Sequence, residues 1–563
     1  MYALRAFRYR PRNIKPIEFQ FSKTFYSKSN FTSKSKLKIA LAGGGVLASS
    51  MSGKFYSNLS ENSDRNVIEI QHSGRIQDSS ESAKKSIEST RSIHNIADDP
   101  YKAIEDAIKD KPRFMVDSDK IKIIYEPSDF YSKLKQAISE AKERVYLSTL
   151  YIGSSEKELI ETISTALDNN KSLKVTILED CLRGTRPERG ETGLTSSAAE
   201  ISRLIEKHGA DRVSIFLYHT PKLAGIKKRI YPERINETVG VQHIKAYICD
   251  SNVIMTGANL NKDYFTNRQD RYFQFEEAPQ VADYLIELID GISRFSYRLV
   301  LNQAHSDTFN ANDRFSLVLN DKDCPDPVKR PRKFKKYAYQ IMINFIEKWN
   351  KNTASTNIFT MENGSGVGVG VGVGAGIQRS QTDDYPMQKL QTRSESSKEY
   401  TGDYTFVVST IQMAPLGIHQ DQKYIQKLFR AIKEYSLQLA KHDKPSTICK
   451  TEVTSAYFNF ARIHIDAILA CKSTFNFLVA SPQACGFFGA KGVSRHIPNT
   501  YSLFELEFLK HLSRVNRSDA VKIREYSRDG WSYHGKGLSA SIYLSIYSFI
   551  RLSDFFFLWV LFT

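Results

Sequence analysis

Gln242-His243-Ile244-Lys245-Ala246-Tyr247-Ile248-Cys249-Asp250, continued by Ser251-Asn252-Val253-Ile254-Met255-Thr256-Gly257-Ala258-Asn259, is the stretch from which the rest of the chain is read. In an extended strand His243 and Lys245 leave the same face, while Ile244 turns the other way, into a core. A neutral imidazole can attack phosphorus or move a proton, and the ammonium beside it is a fixed positive charge for phosphoryl oxygens that gain charge during attack. Asp250 is a candidate for orienting an imidazole or balancing local charge. Gly257 and Asn259 are candidates for bringing the backbone close to a phosphate and donating a hydrogen bond. The competing interpretation is structural: a half-buried strand, a turn at Asp250 to Asn252, and a second strand. A lone histidine and lysine fit that interpretation, but the continued spacing through Gly257 and Asn259 favours chemistry.

Outward from this stretch the pattern alternates between periods of two and of three to four residues. KIKIIYE near 119 reads as a strand, DFYSKLKQAISEAKE as an amphipathic helix, and RVYLSTLYIGSS as a second strand. A helix around 156–168, the strand SLKVTILED, a helix around 197–208 and the strand RVSIFLYHT precede the strand expected to carry His243. Residues 281–300 and 335–350 read as helices. This order predicts an α/β fold with a mixed sheet flanked by helices, and places the chemistry on strands. After one strand end, Cys181-Leu182-Arg183-Gly184-Thr185-Arg186-Pro187 offers Arg183 and Arg186 either as a phosphate grip or as a solvated basic loop. The polar and aromatic run Asn261–Tyr272 either lines the pocket or caps the next element.

His534 and Lys536, in VKIREYSRDGWSYHGKG, repeat the one-residue spacing of His243 and Lys245. They follow a second set of elements: TFVVSTIQMAPLGI, a helix around 420–438, VTSAYFNF, FNFLVAS, a polar turn from Pro482 to Gly492, and a helix near 501–513. Two separated pairs imply a duplicated domain and one composite site. The position matching Asp250 is Ser541, so the repeat is incomplete.

At 563 residues the chain exceeds one ordinary hydrophobic core, and two main domains with unstructured segments are expected. A net charge of +17 favours an anionic partner without choosing among a phosphorylated substrate, nucleic acid and a membrane surface. The six cysteines show neither a disulfide framework nor metal-ligand spacing. Residues 1–38 carry ten Lys and Arg against the single acid Glu18 and lack a long apolar run, as a mitochondrial targeting segment does. IALAGGGVLASSMSGK over 39–54 lacks the spacing and hydroxyl of a phosphate-binding loop. Residues 39–118 read as a largely disordered linker, 301–360 as a helical connection, and 361–402 as a Gly/Val and Ser/Thr-rich insertion without chemistry. The basic run Lys329–Lys336 reads as a solvated or membrane-facing helix start.

HIKAYICD followed by GAN resembles the phospholipase D superfamily signature, and the second HGK supports paired half-sites. Within it, RVYLSTLYIG, CLRGTRP, GANLNKDYFTNRQDRY, VTSAYFNF, SPQACGFFGAKGVSRHIPNTY and GWSYHGKG resemble the eukaryotic mitochondrial phosphatidylglycerophosphate synthases over roughly 119–300 and 405–538. The resemblance implies two phospholipase D-like domains, 119–300 and 403–538, and transfer of phosphatidyl from CDP-diacylglycerol to glycerol 3-phosphate. It implies His243 as nucleophile, forming a phosphatidyl-histidine, and His534 as general acid and base, with these two roles exchangeable. Lys245 and Lys536 would hold phosphoryl oxygens. Asn259, Arg183 and Arg186 become substrate-binding candidates. No bound metal is required, no nucleic-acid partner is expected, and a peripheral place on an anionic, mitochondrial inner membrane follows.

Ala258 stands where the wider superfamily commonly has serine. After Leu538 the supporting strand and later glycine-serine-asparagine segment of the synthases give way to SASIYLSIYSFIRLSDFFFLWVLFT. The second domain is therefore expected to be truncated and residues 539–563 to be an atypical apolar tail, with activity impaired. The alternatives are a phosphatidylserine synthase or phospholipase D-type phosphodiesterase, and an inactive membrane-associated or scaffold protein.

Overall fold

The computed structural model describes residues 106–190, 193–225, 239–302, 314–353, 404–441, 449–543, 549–550 and 555–562. The expected targeting segment, most of the linker and the Gly/Val-rich insertion lie outside the described residues. The first half runs β1 (Arg113–Asp117), β2 (Ile121–Ile124), α1 (Pro127–Glu140), β3 (Arg144–Ser148), α2 (Lys157–Asn169), β4 (Lys174–Asp180) and the short α3 (Cys181–Gly184). The hairpin β5 (Glu188–Gly190) and β6 (Gly193–Thr195) leads to α4 (Ser197–His208), β7 (Val213–Tyr218), β8 (Ala246–Cys249) and β9 (Asn252–Thr256). Then come α5 (Lys262–Thr266), β10 (Arg268–Gln269), β11 (Tyr272–Phe275), α6 (Pro279–Arg294), β12 (Tyr297–Leu301), β13 (Phe315–Leu319) and α7 (Pro331–Thr353).

The second half comprises β14 (Tyr404–Met413), β15 (Ile418–His419), α8 (Gln420–Lys441), β16 (Cys449–Ser455), α9 (Arg462–Ala470) and β17 (Thr474–Ala480). It continues with α10 (Ile497–Arg514), β18 (Val521–Tyr526), β19 (Ser532–Tyr533), β20 (Gly537–Tyr543), β21 (Phe549–Ile550) and β22 (Phe555–Phe562).

Alternation along the central strands puts them between two cores. Val145 and Leu147 of β3 share one core with Val175 and Ile177 of β4, against Phe130, Leu134 and Ile138 of α1 and Leu159 and Ile163 of α2. Phe130, Leu134 and Ile138 recur every fourth residue and so share one helix stripe. On β8, Tyr247 and Cys249 join this core, while Ala246 and Ile248 face the other core with Val281, Leu285 and Ile289 of α6. Each such fully buried large side chain stabilises the fold by about 1.5–3 kcal/mol.

The first sheet has the order β13-β12-β7-β4-β3-β8-β9-β11-β2, and the second β18-β17-β16-β20-β21. In the first, β7, β4 and β3 are mutually parallel and β8 is antiparallel to β3. In the second, β18, β17 and β16 are parallel and β20 is antiparallel to β16. The same four-strand unit thus occurs twice, and each histidine-lysine pair lies at the entry to its antiparallel member. Beyond β9 the first sheet adds β11 and β2, whereas β14, ahead of the second unit, pairs with β1, β15 and β22.

Three boundaries differ from the sequence-based expectation. Residues 113–117, placed in the linker, form β1 and pair with β14 from Arg113–Val408 to Asp117–Tyr404. The helix expected over 281–300 stops at Arg294 and is followed by β12, which pairs with β13 and β7. The connection after residue 301 therefore opens as a hairpin on the first sheet before α7 begins. Phe334 and Ala338 of α7 are buried while Arg332 and Lys333 face solvent, as a solvated helix start requires. Among the described residues no helix is long and apolar enough to cross a membrane.

Candidate active site

Asp180, at the end of β4, ties three segments together. Its Oδ1 accepts hydrogen bonds from the backbone N–H groups of Leu182 and Arg183, each at 3.0 Å, and its Oδ2 accepts from the backbone of Gln242 at 3.0 Å. The Gln242 amide donates to Ser148 Oγ at 2.5 Å, anchoring the same residue to the end of β3. His243 follows directly. The structure corrects the expectation that this pair lies on a strand: residues 243–245 form a link just before β8, whose pairing with β3 ends at Ala246. Lys245 is buried and its Nζ donates to the His243 carbonyl at 3.0 Å.

The second pair is held against the first half. β10 and β19 pair in parallel, Arg268 with Ser532 and Gln269 with Tyr533. The His534 backbone N–H donates to the Gln269 carbonyl at 2.7 Å, which brings the His534 ring onto Asp270. His534 Nδ1 lies 2.7 Å from Asp270 Oδ2, and Asp270 Oδ1 accepts from the Arg271 backbone N–H at 2.8 Å. This close approach explains Gly257: a Cβ there would stand 2.6 and 2.7 Å from the two Asp270 carboxylate oxygens. Gly537 serves the same purpose for Arg271, whose guanidinium occupies the space a side chain would need. Lys536 Nζ donates to the His534 carbonyl at 2.9 Å and lies 3.1 Å from Nε2. Tyr264 and Tyr457 stand edge-on to the His534 ring, with centroids 5.3 and 6.3 Å away.

The electrostatics make the two pairs one site. Burial, then the ammonium groups of Lys245 and Lys536 and the His534 ring, hold His243 well below the ordinary imidazole range. Burial and Lys536 hold Lys245 well below the usual ammonium value, against the opposing pull of Asp270 and Asp180. Burial and Lys536 push His534 down to about 4 although Asp270 favours its charged form. Burial lowers Lys536 to about 8, again opposed by Asp270. Both imidazoles are therefore neutral near pH 7, and cationic neighbours ready a shared space for an anion.

Asn259 is buried, with its amide nitrogen 3.3 Å from the Tyr264 hydroxyl and its carbonyl oxygen without a hydrogen-bond partner. Arg183 lies 3.6 Å over the Tyr151 ring and donates to Glu188 Oε1 at 2.6 Å, and Arg186 lies 3.7 Å from the same oxygen. Tyr151 is close enough to raise the pKa of Tyr264, and Tyr264 stands edge-on to His534, so this arginine turn borders the pocket through two aromatic rings. Asp250 requires a correction. It sits in a left-handed turn with φ 55°, and its carboxylate accepts from the backbone N–H groups of Lys142, Glu143 and Arg144 at 2.8–3.1 Å. Seven residues of extended chain separate it from His243, roughly 23 Å, so it orients the turn after β8 instead of an imidazole.

The carboxylate that does reach an imidazole, Asp270, was not singled out by sequence reasoning, nor were Tyr264, Arg268 and Arg271. Their signal was the density of polar and aromatic side chains in Asn261–Tyr272. No local spacing connects Asp270 with a histidine 264 positions away. Among the described residues no carboxylate hydrogen-bonds the His243 ring, and no cluster of three or more His, Cys, Asp or Glu converges as a metal site.

The family described as cardiolipin synthase, PLD-like domain, matches residues 134–291, which include β3 to β9 and the first histidine-lysine pair. A probable CDP-diacylglycerol--glycerol-3-phosphate 3-phosphatidyltransferase of Dictyostelium discoideum is 34% identical over 431 residues, 76% of this chain and 64% of that protein. The enzyme of that name from Saccharomyces pastorianus is 34% identical over 76% of this chain and 71% of its own length. The mitochondrial enzyme of that name from Gallus gallus is 32% identical, over 76% and 69%. The chain thus spans roughly two thirds of the length of these relatives. A solved phosphatidylserine synthase of Haemophilus influenzae aligns over 78% of this chain and 79% of its own, at 16% identity and a TM-score of 0.47. With the PLD-like match over residues 134–291 and relatives 32–34% identical over 76% of the chain, the chain belongs to the CDP-diacylglycerol--glycerol-3-phosphate 3-phosphatidyltransferase family.

Proposed function

We infer that the chain transfers the phosphatidyl group of CDP-diacylglycerol to the primary hydroxyl of glycerol 3-phosphate, releasing CMP, in mitochondria. The observation that carries this reading is the convergence of His243, Lys245, His534 and Lys536 on one buried cationic space. In the first step the neutral His243 imidazole attacks the phosphorus bearing diacylglycerol, and the bond to CMP breaks. CMP leaves as a weakly basic phosphate, so this step makes little demand on a general acid. In the second step the hydroxyl of glycerol 3-phosphate attacks the phosphorus of the phosphatidyl-histidine, the P–N bond breaks to release neutral His243, and the hydroxyl must lose its proton. His534 suits that role: its ring is neutral, and Asp270 at 2.7 Å stabilises the imidazolium formed. Lys245 and Lys536 oppose the charge that grows on the phosphoryl oxygens in both steps. Arg183 and Arg186 hold the acceptor's phosphate, and a lipid substrate places the chain at an anionic membrane surface.

The assay supplies CDP-diacylglycerol with glycerol 3-phosphate, serine or water. CMP release that depends on glycerol 3-phosphate, with phosphatidylglycerophosphate identified by mass, supports the reading. Equal release with serine or water overturns it. Acid-labile phosphatidyl label on wild-type and His534→Ala protein, absent from His243→Ala, tests the covalent step.

A further inference from the structure

α10 has two apolar sides. Phe508 and Leu512 are buried, and Phe508 packs on Phe458 and Phe477 at 5.4 and 5.8 Å. On the opposite side Leu503 and Leu506, one turn apart, are 60% and 47% exposed, with Leu509 exposed one turn beyond Leu506, while Phe504, on the stripe of Phe508, is 37% exposed. Phe488, in the turn that precedes the helix, is 62% exposed. Seven of the thirteen exposed large apolar side chains among the described residues fall within residues 463–515, so the exposure is concentrated and not scattered.

This face adjoins the reaction space. Tyr501, in the first turns of α10, lies 5.3 Å from Tyr457, and Phe487 lies 5.9 Å from the same ring. Tyr457 is the residue edge-on to His534. Phe488 and Leu503 are thus outward neighbours in the chain of residues that wall the pocket. The charges around the face are predominantly positive: residues 485–514 carry Lys491, Arg495, Lys510 and Arg514 against Glu505 and Glu507. Lys491 and Arg495 are both exposed. Apolar side chains bordered by cations suit the boundary between acyl chains and phosphate head groups.

We propose that the outer face of α10, with the Phe488 turn, is the surface by which this chain docks on the anionic leaflet that holds its lipid substrate. The proposal rests on the lipid substrate assigned above. Leu503, Leu506 and Phe488 enter the acyl boundary while Lys491 and Arg495 meet lipid phosphates, so that a lipid's phosphoryl group reaches the histidines without leaving the membrane surface. The cations favour this occupant over an uncharged apolar protein surface.

The test is sedimentation of the full chain with phosphatidylcholine vesicles, with and without phosphatidylglycerol, beside transferase assays in vesicles and in detergent micelles. Leu503→Glu combined with Leu506→Glu is expected to lower vesicle binding about tenfold or more. Activity on vesicle-held substrate falls with it, and activity on micellar substrate stays. Lys491→Glu with Arg495→Glu removes the preference for anionic vesicles. Leu506→Trp supplies an independent reading, with quenching by brominated lipid beyond that of the native tryptophans. Unchanged sedimentation of the leucine double variant, or no added quenching at position 506, overturns the proposal. Loss of self-association with vesicle binding retained also overturns it, assigning the face to a second copy of the chain. An inert wild-type chain in micelles that still binds anionic vesicles through this face counts against the transferase reading alone.

Discussion

Asp270 and His534, 264 residues apart in sequence, meet at 2.7 Å between Oδ2 and Nδ1. The contact joins the two halves and holds the His534 ring by its Nδ1 edge, with Nε2 turned to Lys536. It exists because β10 pairs with β19 and because Gly257 leaves room for the carboxylate.

Asp270→Asn keeps the volume and removes the charge that stabilises an imidazolium at His534. We expect kcat to fall by about 10²–10⁴-fold with a small change in KM. Because Asp270 raises the His534 pKa, its loss moves any acid limb due to His534 to lower pH. Steady-state kinetics across pH check both outcomes, and a change confined to KM would contradict the role.

In the proposed reaction Lys536 acts as a cation, and burial lowers it to about 8. It is charged below that value and neutral above it, so kcat/KM is expected to decline as pH rises through about 8. Lys536→Arg keeps the charge at all these pH values and should lose the alkaline limb, at a lower plateau rate.

His534 also links stability to pH. Its folded pKa of about 4 lies below the ordinary value of 6.5, so the unfolded chain binds the proton more tightly. The stability this group contributes is full above about pH 6.5 and is lost as pH falls toward 4, by up to about 3 kcal/mol. His534→Gln should flatten the acid side of the stability profile measured by urea unfolding between pH 4 and 7.

Gly257→Ala drives a methyl group against both Asp270 oxygens. We expect about 1–3 kcal/mol of destabilisation and a loss of turnover resembling that of Asp270→Asn. Asp250→Ala separates structure from chemistry in the opposite sense. Removing an acceptor for three backbone N–H groups should cost about 2 kcal/mol in unfolding free energy, while kcat of the folded protein stays near wild type.

Arg186→Ala should raise KM for glycerol 3-phosphate by about tenfold or more, the loss of one charge-assisted contact, with little effect on Tm. Arg183→Ala should also reduce stability, because Arg183 is buried over Tyr151 and bonded to Glu188.

The sequence by itself determined the alternating elements, the mixed sheet, and the two pairs His243/Lys245 and His534/Lys536. These are local properties: side-chain periodicity and one-residue spacings are set by backbone geometry within a few residues. Only the tertiary structure decided which carboxylate serves a histidine. Asp250, near His243 in sequence, is carried away along β8 to cap a turn, while distant Asp270 is brought to His534 by pairing between β10 and β19. It also decided that the outer face of α10 stays uncovered, because periodicity marks apolar residues without saying which of them find a partner. A strand's extension separates sequence neighbours by some 3.3 Å per residue, and sheet pairing closes gaps of hundreds of residues, so contacts that tune a pKa are tertiary facts.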